Sequence, residues 1–261
     1  MRIAATWMKN EAPCGRSERM RAMRKPKPVA VLATALLTAC ASAGPEPEPE
    51  PRIDPPAVYT EPVVIPPGNG AITDFLGCRF ADGSTRRQSI RRDEMPWRVA
   101  IDTPKNNPRY GSRADARRVA IEAMRAWERA IQTRAPWFEL EFVDRDPAAP
   151  VQIEWKRRVT GSAQGRAGPV CAIGGSDGRS VRAGGEMEVG IQSCPTCTPI
   201  TLDEIRMLFA HEFGHILGLG HCLDCDSAMN YSWHTRDRVF VTRTDVEAIV
   251  QLLDGGEAGP P

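Results

Sequence analysis

The sequence predicts an α+β fold in which a strand, a helix and several strands are followed by two further helices. Two kinds of pattern support this prediction. Short segments in which apolar and polar residues alternate indicate half-buried strands, and apolar residues spaced three and four apart indicate helices. The chain has 261 residues, 41% hydrophobic and 26% charged, which is typical of a folded globular domain.

Four segments have the pattern of strands. Each has apolar residues at alternate positions or a short apolar run, so one face of each strand is expected to be buried. They are residues 97–101, 138–142, 151–155 and 187–191. A glycine-rich stretch over residues 161–185 predicts long loops, with a short strand near residues 170–173.

The first helix is predicted to begin at Ser112, which forms a capping box with Asp115, and to end before Pro136. Its apolar residues fall on one face at helical spacing. They are Ala116, Val119, Ala120, Ala123, Met124, Trp127, Ala130 and Ile131.

Two more helices are predicted from the same capping signal. One begins at Thr201, three residues before Glu204, and runs to about Leu217. The last begins near Thr244, three residues before Glu247, and ends before a glycine. Its buried face is expected to contain Val246, Ile249, Val250 and Leu253.

The N-terminal segment resembles the signal of a bacterial lipoprotein. Basic residues precede an apolar run over residues 29–39, which is too short for a stable membrane-spanning helix and fits a secretory signal. The run ends in Leu37-Thr38-Ala39-Cys40, similar to a lipobox. The resemblance implies that Cys40 is lipidated and holds an exported protein on the bacterial cell envelope, periplasmic or at the cell surface. An ordinary signal peptide with a chance cysteine is the alternative.

Composition divides the rest of the chain. Residues 41–69 are rich in proline and glutamate and predict an extended tether after the leader, residues 1–40. A folded domain is predicted over residues 70–261.

The whole chain carries a net charge of +1, but residues 1–40 hold 8 of the 34 basic and 2 of the 33 acidic residues. The remainder is therefore mildly acidic. It has no stripe of basic residues of the kind that would indicate binding to nucleic acid.

The second predicted helix contains a metal-binding motif. His211 and His215 are four residues apart and therefore share a helix face, where both imidazoles can bind one ion. Glu212 is placed to reach water beside the ion without being a ligand. Gly218 can adopt a positive φ and turn the chain back, so His221 is predicted as the third ligand. Three unliganded histidines on an apolar helix are the alternative.

The extended pattern His-Glu-x-x-His-x-x-Gly-x-x-His, over residues 211–221, resembles that of matrixin-like metzincins. A methionine turn follows at Met229, eight residues after the third histidine. The resemblance implies a metzincin-like α+β fold, with a helix packed on a twisted mixed sheet, an active-site helix, the methionine turn and a C-terminal helix. It also implies a zinc endopeptidase with one catalytic Zn²⁺, Glu212 as general base and a peptide substrate bound extended along an edge strand.

Two positions depart from the matrixin pattern. Cys222 follows the third histidine, where matrixins usually have a small hydroxyl residue, and Tyr231 stands two residues after the methionine. The second spacing resembles astacins and serralysins and implies that Tyr231 lies near the metal and assists catalysis, with a packed aromatic as the alternative. Residues 232–240 are expected to wall the specificity pocket, with His234 as a wall residue and not a ligand.

Two other functions are alternatives to a zinc endopeptidase. One is a non-catalytic zinc-binding lipoprotein that serves as a surface interaction module. The other is a redox or metal module built on two Cys-x-x-Cys pairs. Disulfides are the default in an exported protein, and the predicted pairs are Cys194–Cys197, Cys222–Cys225 and Cys78–Cys171. A four-cysteine zinc site is disfavoured because the helix between the two pairs is roughly 25 Å long.

Overall fold

The computed structural model describes most of the chain from residue 65 onward. The described residues are 65–79, 85–159, 164–170, 173–174, 180–181, 184–192, 194–231 and 241–253. All of them belong to one of the two units into which the chain divides, Val58–Pro261. The predicted leader and most of the predicted tether lie outside the described residues, so the predicted domain boundaries stay predictions.

A five-stranded mixed sheet forms one layer of the fold. The strands described are β1 (Gly77–Arg79), β2 (Thr85–Arg87), β3 (Trp97–Ile101), β4 (Leu140–Val143), β5 (Val151–Lys156), β6 (Gly165–Pro169), β7 (Ile173–Gly174), β8 (Ser180–Val181) and β9 (Gly185–Gly190). The large sheet has the order β4-β3-β5-β9-β6. Its first four strands are parallel, and β6 pairs antiparallel with β9 at the edge. The pairs β1–β2 and β7–β8 form small separate sheets.

Three α-helices are described: α1 (Arg113–Gln132), α2 (Leu202–Ile216) and α3 (Arg243–Val250). The capping boxes predicted at Ser112 and Thr201 are both present. Within the described part of the chain, no helix is long and apolar enough to cross a membrane. The mixed sheet with its helices confirms the predicted α+β class.

The core lies where α1 meets the sheet and α2. Every apolar residue predicted for the buried face of α1 is buried. The indole N–H of Trp127 on α1 donates to the carbonyl oxygen of Ala210 on α2 at 2.8 Å. Since Ala210 directly precedes His211, this bond fixes the position of the α2 segment that carries the metal-binding motif.

Some predicted boundaries were wrong. The glycine-rich stretch is not loop throughout, because Gly165–Pro169 forms strand β6 by pairing along β9. Strand β4 begins at Leu140 and not at Phe138. Helix α1, by contrast, ends at Gln132, before Pro136, as predicted. The short strands β1 and β2 were not predicted at all.

The start of the last helix also differs from the prediction. Helix α3 begins at Arg243, and its capping pair is Thr242 and Asp245, not Thr244 and Glu247. The main-chain N–H and the hydroxyl of Thr242 donate to the Asp245 carboxylate at 2.7 and 2.9 Å. Val250, predicted to be buried, is exposed. Asp245 is fully buried, and its carboxylate accepts a hydrogen bond from the Ser227 hydroxyl.

Candidate metal centre and active site

Helix α2 places two imidazoles side by side. His211 and His215 are both buried, and their ring centroids lie 4.9 Å apart. The helix ends directly after them, at Ile216, with Leu217 as its last capping residue. Gly218 then has a φ of +97°, a value that favours glycine, and the N–H of Leu219 closes the turn on the carbonyl of Gly214 at 2.9 Å.

This turn brings the third histidine back to the first two. The Nε2 atom of His221 lies 3.2 Å from Nε2 of His211 and 3.2 Å from Nε2 of His215. In the described part of the chain, these three histidines form a group whose ligand atoms lie close enough together to hold one metal ion. The turn at Gly218 predicted from the sequence therefore unites all three predicted ligands.

The hydrogen bonds of the rings suit metal binding. Nδ1 of His211 bonds the carbonyl oxygen of Ala228, and Nδ1 of His215 bonds that of Leu219, both at 2.8 Å. A carbonyl only accepts, so each Nδ1 carries the proton and each Nε2 presents a bare lone pair. Burial lowers the pKa of His215 to about 4, which keeps this imidazole neutral at neutral pH.

The spacing of the nitrogen atoms is compatible with zinc. Lone pairs 3.2 Å apart repel each other unless a cation lies between them. Tetrahedral Zn²⁺ with bonds of about 2.0–2.1 Å to nitrogen separates its ligand nitrogens by about 3.3–3.4 Å. The observed separations of 3.2 Å are close to that value. Zinc held by His211, His215 and His221 therefore fits both the donor set and its geometry.

Glu212 follows the first ligand on α2, and its side chain is almost fully enclosed. Its side chain is buried, and this burial raises the pKa of the carboxyl group to about 8. The carboxyl group lies directly against Gly165 of β6: a Cβ atom built on Gly165 would be 2.5 Å from its Oε1 atom and 2.7 Å from its Cδ atom. The edge strand and the carboxylate thus line the same space.

The predicted methionine turn lies beneath the imidazoles. Met229 is fully buried, and a Cβ atom built on Gly214 of α2 would overlap its thioether sulfur and lie 3.0 Å from the Trp127 ring. Ala228, one residue earlier, supplies the carbonyl that orients His211. The turn is itself held from α3, because the Ser227 hydroxyl bonds the buried Asp245 carboxylate.

Tyr231 lies close to the third ligand. Its ring centroid is 5.3 Å from that of His221, edge to face, and the residue is 41% exposed. The structure therefore places Tyr231 near the metal centre, as its spacing from the methionine implied. Residues 232–240, including His234, lie outside the described residues, so their expected place in the pocket wall stays a prediction.

The cysteine pairs are disulfides. Cys194 is bonded to Cys197, and Cys222 is bonded to Cys225, which confirms two of the predicted pairs and leaves these thiols unavailable for a zinc site or for thiol chemistry in this state. Cys78 is also disulfide-bonded. Cys171 lies outside the described residues, so the pair Cys78–Cys171 stays a prediction.

Sequence reasoning missed three residues around the centre. Asp74 lies against the third-ligand turn, Gly165 lies against Glu212, and Asp245 holds the methionine turn. The capping pattern Thr242-x-x-Asp245 in the sequence could have identified Asp245. No local pattern marks the other two, because their partners are distant in sequence.

A metal centre of this kind beside a buried carboxylate indicates the metallopeptidase class. The matrixin family model matches residues 90–254, more than half of the sequence, and the chain therefore belongs to the matrixin family. Family membership supports a zinc metallopeptidase, and the sheet and helices are consistent with a metzincin fold.

Other comparisons add little. Among solved structures, a chain described as "GM1 bound form of the ECX AB5 holotoxin" is similar at 14% sequence identity and a TM-score of 0.40, over 68% of this chain and 87% of that chain. This likeness is too distant to bear on function. No curated protein matches the chain.

Proposed function

We propose that the chain is a zinc-dependent endopeptidase, exported and anchored to a membrane through Cys40, with Glu212 as its general base. The observation that carries the enzymatic part is the convergence of three Nε2 atoms at the end of the helix that also holds the buried Glu212, one residue after the first ligand. When bound by His211, His215 and His221, zinc supplies a Lewis acid that activates water and polarises the scissile carbonyl.

Glu212 moves the proton in this proposal. Its carboxylate takes a proton from the attacking water and later delivers it to the nitrogen of the departing amine. The position of Glu212 on α2, one residue after His211, directs its side chain to the flank of the ligand face. The carboxylate therefore reaches the reacting water without competing for the metal.

Strand β6 is proposed to bind the substrate. It pairs with β9 on one side and forms the edge of the five-stranded sheet, so its other side offers main-chain groups to an added strand. Gly165, at the start of β6, lies against Glu212. A peptide extended along β6 would therefore pass directly in front of the general base.

The presence of Glu212 favours the peptidase over the non-catalytic alternative. A zinc-binding interaction module needs the imidazole ligands but gains nothing from a glutamate placed directly after the first of them, whereas a peptidase uses that group as its general base.

A cleavage assay with metal removal tests the proposal. The purified chain is incubated with a peptide library, alone, with a chelator, and with zinc restored after chelation. We expect internal peptide bonds to be cut, the chelator to stop cleavage, and zinc to restore it. A chain that binds zinc tightly yet cuts no peptide would instead support the non-catalytic alternative.

A further inference from the structure

The pairing of β6 with β9 decides which main-chain groups of β6 point to the edge of the five-stranded sheet. The N–H of Gly190 donates to the carbonyl of Gln164 at 2.8 Å, and that of Val170 donates to the carbonyl of Gly184 at 3.4 Å. In an antiparallel pair, residues that bond the partner strand alternate with residues whose N–H and C=O point to the other side. Since the even-numbered residues of β6 bond towards β9, the odd-numbered ones point their main-chain groups to the edge.

An extended peptide that adds to this edge would therefore bond the main chain at Gly165 and Ala167. A Cβ atom built on Gly165 would lie 2.5 Å from Oε1 of Glu212, and Ala167 packs against the core, so both residues face inward. Paired residues share a sheet face, so the peptide side chain opposite Gly165 would point towards α2. The next side chain of the peptide would point to the other face of the sheet, beside Arg166.

Arg166 lies on the outer face of β6, one residue from the contact with Glu212. Its side chain is exposed, and a Cβ atom built on Gly168, two residues further along the same face, meets nothing within 4 Å. Among the described residues, the guanidinium group of Arg166 has no ion-pair partner. An antiparallel peptide would place its residue opposite Arg166 in a non-hydrogen-bonded pair, in which the Cα atoms are only about 4.5 Å apart.

Two glutamates of β9 are the competing charges on this outer face. Glu188 is the register partner of Arg166, and Glu186 is that of Gly168. The Glu188 carboxylate lies 3.7 Å from the amine of Lys156 on β5, so it has a cationic neighbour on the side away from β6. A peptide on the edge of β6 would lie about 9–10 Å from β9, and therefore nearer to Arg166 than to either glutamate.

We propose that Arg166 is a specificity-determining residue, which favours cleavage of peptides that carry an acidic side chain at the position opposite it on the added strand. The inference rests on the proposed function, because it requires a peptide bound along β6. Opposite charges directly across two strands stabilise the pairing, and like charges destabilise it. Aspartate or glutamate at this position therefore strengthens peptide binding, and lysine or arginine weakens it.

The test measures kcat/KM for fluorogenic peptides that differ at one position at a time, which holds glutamate, glutamine or lysine. The full chain is compared as wild type, Arg166→Gln and Arg166→Glu. Arg98→Gln is the matched control, because it removes an exposed arginine from the same face of the same sheet, on β3. Three strand spacings, about 14 Å, separate β3 from β6, which exceeds the Debye length of about 10 Å at 0.1 M salt.

At one substrate position, the wild type should favour glutamate over glutamine by about 1.4- to 5-fold in kcat/KM. The preference should appear mainly in KM, because strand pairing already binds the substrate before the reaction. Arg166→Gln should lose the preference, Arg166→Glu should favour lysine at the same position, and Arg98→Gln should keep the wild-type preference. Higher salt should weaken the preference, because ions screen exposed charges.

Unchanged ratios of kcat/KM between glutamate and lysine peptides, at every position and in both Arg166 variants, would overturn the inference. An equal change of these ratios in Arg98→Gln would overturn it as well, because the effect would then not depend on the place of Arg166 on β6. A wild-type chain that cuts none of the peptides would contradict the proposed endopeptidase itself, which separates the two failures.

Discussion

The two residues that depart from the matrixin pattern, Cys222 and Tyr231, are hydrogen-bonded neighbours. The N–H of Tyr231 donates to the carbonyl of Cys222 at 2.9 Å, and the N–H of Cys222 donates to the carbonyl of Met229 at 3.0 Å. The residue after the third ligand is thereby paired with the methionine turn. The Tyr231 ring lies next to the third histidine, with 5.3 Å between the ring centroids.

Tyr231→Phe tests the role proposed for that tyrosine. If its hydroxyl donates to the oxyanion that develops during peptide hydrolysis, the variant should lose kcat by roughly 10- to 100-fold with little change in KM. Steady-state kinetics on one cleaved peptide measures both constants. Wild-type values of kcat and KM would mean that Tyr231 is only a packed aromatic.

The metal ligands were predictable from the sequence because the required geometry is local. An i, i+4 pair on a helix and a glycine at the turn bring His211, His215 and His221 together within eleven residues. The contact of Asp74 with Gly220 was not predictable in this way, because it joins residues 146 positions apart and depends on the tertiary fold.

At the scale of elements, the helices were predicted better than the glycine-rich strand. The capping boxes at Ser112 and Thr201 act within four residues, so local sequence determines where α1 and α2 begin. Strand β6 contains two glycines and a proline, residues with low strand propensity, and it exists because β9 pairs with it. Its formation depends on a partner about twenty residues away.

The start of α3 also could not be predicted from the local sequence alone. Both Thr242-x-x-Asp245 and Thr244-x-x-Glu247 have the capping-box spacing. The structure uses the first pair, because Asp245 also accepts hydrogen bonds from the Ser227 hydroxyl and the N–H of Ala228. A tertiary contact with the methionine turn thus decides between two equivalent local signals.

Strand β6 provides a matched pair of glycine variants. A Cβ atom on Gly165 would collide with the Glu212 carboxyl group, whereas one on Gly168 meets nothing within 4 Å. Gly165→Ala should therefore displace the general base and lower kcat by about 100-fold, the cost of a misplacement of about 1 Å, while zinc content stays at the wild-type level. Gly168→Ala should keep wild-type kinetics.

Peptidase kinetics and metal analysis on both purified variants measure this difference. Equal activity in Gly165→Ala and Gly168→Ala would show that the contact between β6 and Glu212 does not control the position of the base.

At the scale of the whole molecule, the proposed anchor and the folded domain are joined by the proline- and glutamate-rich segment. Its composition predicts an extended tether, because proline fixes φ and the glutamates repel one another. The proposed lipid on Cys40 would attach this tether to a membrane.

Cys40→Ala tests the anchor. In a bacterial host that lipidates such signals, the wild-type chain should sediment with the membranes and the variant should move to the soluble fraction. Fractionation with immunodetection, and mass spectrometry of the N-terminal peptide, measure this. Membrane-bound Cys40→Ala, together with a wild-type chain that carries no lipid, would contradict the proposed lipidation.

In the proposed mechanism, the three histidines bind the metal, while Glu212 acts on the attacking water without being a ligand. The most direct measurement is zinc content and peptide cleavage of Glu212→Ala, determined side by side with the wild type. We expect about one zinc per chain in both proteins and a rate reduced by about 100- to 10,000-fold in the variant. Cleavage at the wild-type rate, or loss of zinc along with activity, would contradict the claim.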